Sequence, residues 1–251
     1  MSKDLKILAL IPARKGSKSI KNKNIISILG SPLISWSIKQ ALDSKFINRT
    51  IVSTNCEKIK RISLDYGAEV PFIRPDSISK DNSLDLETFT HALKWLKEKE
   101  NYIPDLVIHL RPTGPARRVN IIDDAISKMT KNLKADSLRS VSIAKQTPYK
   151  MWFEKNNFLE PIIKSNKELH SSPRQELKKV YWQNGYVDIT KINTILKKKS
   201  MIGDLCLAYE IFEEVVDVDY PEDIEIVEKK MKEILNNKKA RTSLISQRHS
   251  V

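Results

Sequence analysis

Ile7, Leu8, Ala9, Leu10 and Ile11 run unbroken into Pro12, and Arg14, Lys15, Lys18, Lys21 and Lys23 follow with no acid among them. A short continuous apolar run of this kind reads as a strand covered on both faces, inside a layered α/β sheet. Gly16 and Ser17 keep the following turn small, so backbone N–H groups can point at a ligand. A loop that gathers cations and amides at the end of a buried strand suits a polyanion, and for an enzyme the natural polyanion is a nucleoside triphosphate. The same charges could equally form a solvated surface. Their place at the carboxyl edge of a strand, where open α/β sheets bind ligands, favours the ligand. Neither G-x-G-x-x-G nor G-x-x-x-x-G-K-[ST] occurs here, so phosphates would be held mainly by side-chain cations.

The rest of the chain continues the rhythm. Lys6–Ile11, Thr50–Thr54, Val70–Ile73, Asp105–Leu110 and Ser140–Ile143 read as strands. Pro32–Leu42, Glu57–Tyr66, Leu84–Lys99 and Ile121–Leu133 read as helices. Pro32 suits a first helical position with Ser31 as its cap, Asn55 suits the next cap, and Gly67 suits a helix end. Such alternation predicts a Rossmann-like three-layer sandwich around a mostly parallel sheet. The rhythm lapses between Lys145 and Lys179, which reads as a small lobe inserted at about 145–180. It resumes with Gly185–Thr190, Cys206–Phe212 and a helix Pro221–Leu235, giving one domain over 1–235. Residues 236–251 read as a basic, flexible tail.

A chain of 251 residues, 40% hydrophobic and 30% charged, can bury one good core. No apolar run reaches the roughly 18 residues that span a bilayer. The first strand follows the amino terminus too closely for a secretory leader. Cys56 and Cys206 have no metal-type spacing, and the simplest expectation is a reducing cytoplasm. The formal charge of +13 would suit nucleic acid or an anionic substrate. The first loop and Lys238, Lys239, Arg241 and Arg248 supply much of it, and no nucleic-acid module or basic face with interleaved aromatics accompanies it. His91, His109, His170 and His249 show no metal-ligand or triad spacing and read as structural.

Asp217 and Asp219 are two apart, so on a strand both carboxylates share a side while Val218 faces the core. Two such carboxylates with phosphate oxygens make a partial cage for Mg²⁺. They could instead be acids at a strand end that cap the next helix. Glu222 and Asp223 fall in the first turn after Pro221, where acids favour the helix dipole, and read as structural.

The pattern IPAR-x-GSK-x-I-x-x-KN, from Ile11 to Asn24, resembles the signature of the acylneuraminate cytidylyltransferases and their nonulosonate relatives. Those enzymes couple CTP to an acidic nine-carbon sugar and release pyrophosphate. The resemblance continues to about Leu235. It implies a nucleotidyltransferase fold with a protruding dimerisation lobe, a homodimer, Mg²⁺, and no nucleic-acid or membrane partner. By position it implies that Arg14, Lys18 and Lys23 hold the β and γ phosphates, with Gly16, Ser17 and Asn24 adding hydrogen bonds. Arg74, Asp81 and Asp85 fall in the segment that reads the base, and Asp217 and Asp219 in the metal-binding Asp-x-Asp. Arg14, Lys23 and Asp217 would then be catalytic, one of the aspartates taking the sugar hydroxyl's proton.

HLRPTGPARR resembles the segment Q-P-T-S-P-L-R across the cleft, with Pro112, Thr113, Pro115 and Arg117 matching. Arg111 stands in place of a Gln and Gly114 in place of a Ser. Thr113 and Arg111 would touch substrate; Arg111 either binds the sugar acid or pairs with a nearby carboxylate. SPRQELKKVYWQNG resembles P-R-Q-x-L-P…N-G, which assigns Arg174, Gln175 and Asn184 to the sugar pocket. Tyr181 and Trp182 read either as core aromatics, the preferred reading, or as packing against a sugar ring. Ser19 and Lys21 replace a Gly and a Pro, and Asn82 and Ser83 follow Asp81 where relatives carry Thr and Ser. The corresponding enzymes for the eight-carbon acid Kdo carry Q-G-D-E-P where this chain has LRPTGP, which counts against that alternative.

Overall fold

The computed structural model describes the backbone of residues 5–248 and the side chains of residues 5–236. The first half comprises β1 (Ile7–Pro12), a short ribbon of β2 (Ser27–Ile28) and β3 (Ser31–Pro32), α1 (Leu33–Leu42), β4 (Arg49–Ser53), α2 (Glu57–Asp65), α3 (Asp85–Glu100) and β5 (Leu106–His109). There follow α4 (Val119–Lys131), β6 (Ser137–Ile143), the hairpin β7 (Trp152–Lys155) and β8 (Phe158–Pro161), β9 (Tyr181–Lys191), α5 (Ile192–Leu196), β10 (Cys206–Glu210) and α6 (Asp223–Arg248).

Six strands form one sheet in the order β10-β6-β9-β5-β1-β4. All run parallel except β9, which is antiparallel to both β5 and β6. The unbroken apolar run of β1 is explained by the layers. Ile7, Ala9 and Ile11 face α1, α2 and α4, whereas Leu8 and Leu10 face α3 and α5. Each such fully buried aliphatic side chain contributes about 2 kcal/mol from burial. A third apolar cluster packs Val227 and Met231 of α6 against Ile28, Leu33 and Val218. That cluster ties the Asp217–Asp219 segment to the ribbon that follows the basic loop.

Several local expectations are corrected. Val70–Ile73 is not a strand of the sheet; only Glu69 bridges to Ile51, because Pro71 has no N–H to extend a ladder. Pro32 is the N-cap of α1 rather than its first residue, and Ser31 is held in the ribbon instead of capping. Cys56, not Asn55, is the N-cap of α2. Gly67 does end that helix, at φ +89°. Asp217–Asp219 belongs to no strand, yet the alternation survives: Val218 is fully buried and Asp219 exposed. The helix expected to stop at Leu235 runs on to Arg248, since residues 236–248 contain no Gly or Pro to break it; residues 249–251 lie outside the described ones.

Candidate active site

The loop after β1 is pinned from three sides. Ala13 N–H donates to the Ser53 carbonyl at 2.9 Å, Lys15 N–H to Asn55 Oδ1 at 2.7 Å, and Asn24 Nδ2 to the Arg14 carbonyl at 3.1 Å. Gly16, at φ +80°, supplies the left-handed turn between them. Asn55, expected as a cap, therefore serves the loop instead.

This loop walls a cavity of about 290 Å³ at the carboxyl ends of β1 and β5. Arg14, Gly16, Ser17, Lys23, Asn24, Arg74, Asp81 and Asp85 line it, joined by Arg111 and Thr113. Lys18 stands at its edge, bound to Asp81. Asp81 accepts from Lys18 Nζ at 3.0 Å and Arg14 Nη1 at 2.6 Å, and these two cations hold its carboxyl below the usual carboxylate range. An internal carboxylate thus sits on the loop cations that a phosphate would engage. Arg74 is buried; Nε donates to Ser79 Oγ and Nη1 to Thr88 Oγ1, and Nη2 finds no partner among the described residues. Burial, then Arg14, pushes it down to about 10. His109 is buried beside this cavity, and burial followed by Arg111, Arg139 and Arg117 keeps its pKa well below the ordinary value, so it is neutral.

The aspartate pair meets this cavity through Lys23. Its Nζ donates to the Val218 carbonyl at 3.0 Å, to the Asp219 carbonyl at 3.3 Å and to Asp219 Oδ1 at 3.0 Å. Val218 N–H donates to the Thr113 carbonyl at 2.7 Å, and Asp223 accepts from the Asp219 and Tyr220 N–H groups. Asp223 thus has the structural role expected of it. Asp217 accepts no hydrogen bond from any described residue, and burial raises its pKa against the opposing pull of Arg117. Its Oδ1 would lie 2.8 Å from a Cβ placed on Gly114, so only glycine fits there without displacement. A partly dehydrated carboxylate without a donor, next to an exposed one, is a donor set that suits a hard divalent cation. Among the described residues no cluster of three or more metal-ligating side chains occurs, so substrate oxygens would complete the shell.

Beyond the aspartates opens a second cavity of about 860 Å³. Asn184 lines it, with Met151, Trp182, Phe212 and Val215 as an apolar wall. Tyr181 and Trp182 are therefore not core: they are 44% and 68% exposed. The reason is register. β5 pairs with β9 only at Asp188–Lys191, so among the described residues β6 is the one strand neighbour of Tyr181–Gln183, and Tyr181 Oη donates to Glu210 Oε2 of β10. Arg174 and Gln175 line neither cavity; Arg174 donates to the Ala144 and Lys145 carbonyls, fastening the loop before β9 to the end of β6.

Two residues without an assigned role in the sequence reading lie behind the lining residues. Asp188, 2% exposed, accepts from Arg111 Nη1 at 2.8 Å. Arg117, buried, donates to the carbonyls of Tyr186, Gly114 and Arg111 and to Ser37 Oγ. The first left no signal beyond an acid inside an apolar strand, and the second only its place in the LRPTGPARR segment.

A family described as Cytidylyltransferase matches residues 8–201. The chain is 32% identical over 181 residues to a pseudaminic acid cytidylyltransferase of Campylobacter jejuni, covering 72% of this chain and 76% of that one. It is 29% identical to the CMP-N,N'-diacetyllegionaminic acid synthase of Legionella pneumophila, covering 90% of this chain and 97% of that one. Its fold is similar to a CMP:2-keto-3-deoxy-manno-octonic acid synthetase solved with CTP, at TM-score 0.68 and 15% identity over 91% of this chain and 99% of that one. The chain belongs to the cytidylyltransferase family.

Proposed function

We propose that this enzyme joins CTP to an acidic nine-carbon sugar of the nonulosonate class, releasing pyrophosphate. The observation that carries the reading is Lys23, which links the basic loop to Asp219 and so joins a cation-lined cavity to a roomier one. The relatives named for pseudaminic and legionaminic acids support the substrate class.

The sugar's anomeric hydroxyl attacks the α-phosphorus of CTP, the bond to the bridging oxygen breaks, and pyrophosphate leaves. Transfers of this kind need mainly positioning and charge stabilisation. Arg14, Lys18 and Lys23 exchange Asp81 and Asp219 for phosphate oxygens, with Ser17, Asn24 and the Gly16 N–H beside them. Arg74 offers its unpartnered Nη2 to an acceptor on the base. Asp217 and Asp219 would hold Mg²⁺, which when bound supplies charge neutralisation at the α-phosphate. One of the two carboxylates takes the hydroxyl proton. The sugar occupies the second cavity near Asn184, where its acyl and methyl groups meet Met151, Trp182 and Phe212. Purified protein with CTP, Mg²⁺ and a panel of nonulosonic acids is expected to release pyrophosphate with at least one of them. Release that continues with no sugar, or no release with any member of the panel, rejects the reading.

The homodimer belongs to the same reading. Phe153, Phe158 and Leu159 expose apolar side chains on the β7–β8 hairpin, the kind of patch a second copy covers. Sedimentation velocity is expected to give twice the mass of the chain, and a monomer at micromolar concentration rejects it. Among the described residues no helix is long and apolar enough to cross a membrane.

A further inference from the structure

Arg111 and Asp188 form a pair that phosphate and metal binding leave unexplained. In the sheet ladder Asp188 stands between His109 of β5 and Arg139 of β6. Its Oδ2 accepts from Arg111 Nη1 at 2.8 Å and from Gln183 Nε2 at 3.2 Å, while Arg139 Nε approaches Oδ1 at 3.8 Å. The guanidinium is also held from above. Between Asp188 and Gln183 the β9 ladder with β6 is broken, and Gly185 turns at φ +67° inside that break. A Cβ on Gly185 would stand 3.3 Å from Arg111 Nη1 and 3.6 Å from its Cδ, so bare backbone lies against the side chain.

One edge of the Arg111 fork is thus fixed and the other is open: Nη2 lies 3.8 Å from Asp85 Oδ2, beyond hydrogen-bond distance. The charges do not balance either. Arg111 and Arg139 share one buried carboxylate, His109 is neutral, and Asp85 is half exposed and screened. What the floor lacks is an anion. Its location says which one. Arg111 lines the first cavity, whereas Asn184, next to the Gly185 that covers it, lines the second. In a nonulosonic acid the carboxylate is attached to the anomeric carbon, so in the reaction proposed above it lies between the nucleotide in the first cavity and the sugar in the second.

We propose that Asp188 is a positioning residue that aims Arg111 at the carboxylate of the incoming acidic sugar. The inference rests on the function proposed above, and wild-type pyrophosphate release with CTP and the sugar panel is measured first to separate the two. Asp188→Asn keeps the shape but not the charge. It is expected to raise the KM for the sugar about tenfold or more while the KM for CTP stays within about twofold. A merely structural role would move both together. In Arg111→Gln/Asp188→Asn the sugar KM is expected to equal that of Arg111→Gln alone, because the pair acts as one unit. An unchanged sugar KM, a parallel rise for CTP, or additive effects in the double variant overturns the proposal. Should the loss of charge beside Arg139 prevent folding, Arg111→Lys keeps a cation for Asp188 without the fork. A raised sugar KM there supports the inference, and an unchanged one overturns it.

Discussion

Asp217→Asn is expected to slow CTP-dependent pyrophosphate release by about a thousandfold, roughly 4 kcal/mol in the barrier, and to leave the fold intact. The substitution keeps the volume beside Gly114 and removes the one carboxylate of the pair without a hydrogen-bond donor among the described residues. Its effect on stability has the opposite sign. Burial, the largest cause, raises the folded-state pKa of Asp217. Its stabilising contribution is therefore complete below the unfolded value near 3.9 and is lost as pH rises through the raised folded value. At neutral pH the charged, dehydrated side chain weakens the fold, so the Asn variant melts no lower than wild type, and the difference shrinks toward pH 4. Turnover within about tenfold of wild type would remove Asp217 from the chemistry. A lower melting temperature at pH 7.5 would show that the carboxylate has a stabilising partner after all.

Arg117→Ala is expected to cost about 3–5 kcal/mol of folding stability, the largest loss from any polar position near the site. Arg117 binds the carbonyls of Arg111, Gly114 and Tyr186, three main-chain groups on two separate segments. Removing it takes a donor from each of those carbonyls, although the Arg111 carbonyl keeps Ser37 Oγ, and opens a void where the side chain was. Arg117→Met separates the two contributions, since it fills the void without restoring the lost donors. Urea unfolding of both variants checks this. A loss of about 1 kcal/mol or less for Arg117→Ala would mean that water reaches those groups at little penalty.

The basic loop was legible because its charges are contiguous and its strand is unmistakably buried. The aspartates were legible as a pair because Val218 between them must be covered, although they belong to no strand. What the linear chain concealed depends on long-range pairing. Nothing near Asp188 announces that Arg111, 77 positions away, will lie against it, because β9 enters antiparallel between two strands that precede it. Arg174 and Gln175 are absent from the lining of both cavities, and Arg174 is engaged by the Ala144 and Lys145 carbonyls, a long-range pairing that the linear chain does not announce. Tyr181 and Trp182 carry the apolar character of a buried strand, but they stand on the end of β9 that β5 does not reach, and both are exposed.

The interrupted ladder of β9 divides one strand into two pieces with different numbers of strand neighbours. From Asp188 onward the strand is clamped on both edges; before Gln183 it has a single neighbour and leads into the inserted lobe. The break between them is held by side chains instead: Val187 N–H donates to Ser140 Oγ, Asn184 Nδ2 to Ser142 Oγ, and the Tyr186 carbonyl accepts from Arg117. The two halves of β9 therefore communicate through the hydroxyls of Ser140 and Ser142 rather than through the ladder.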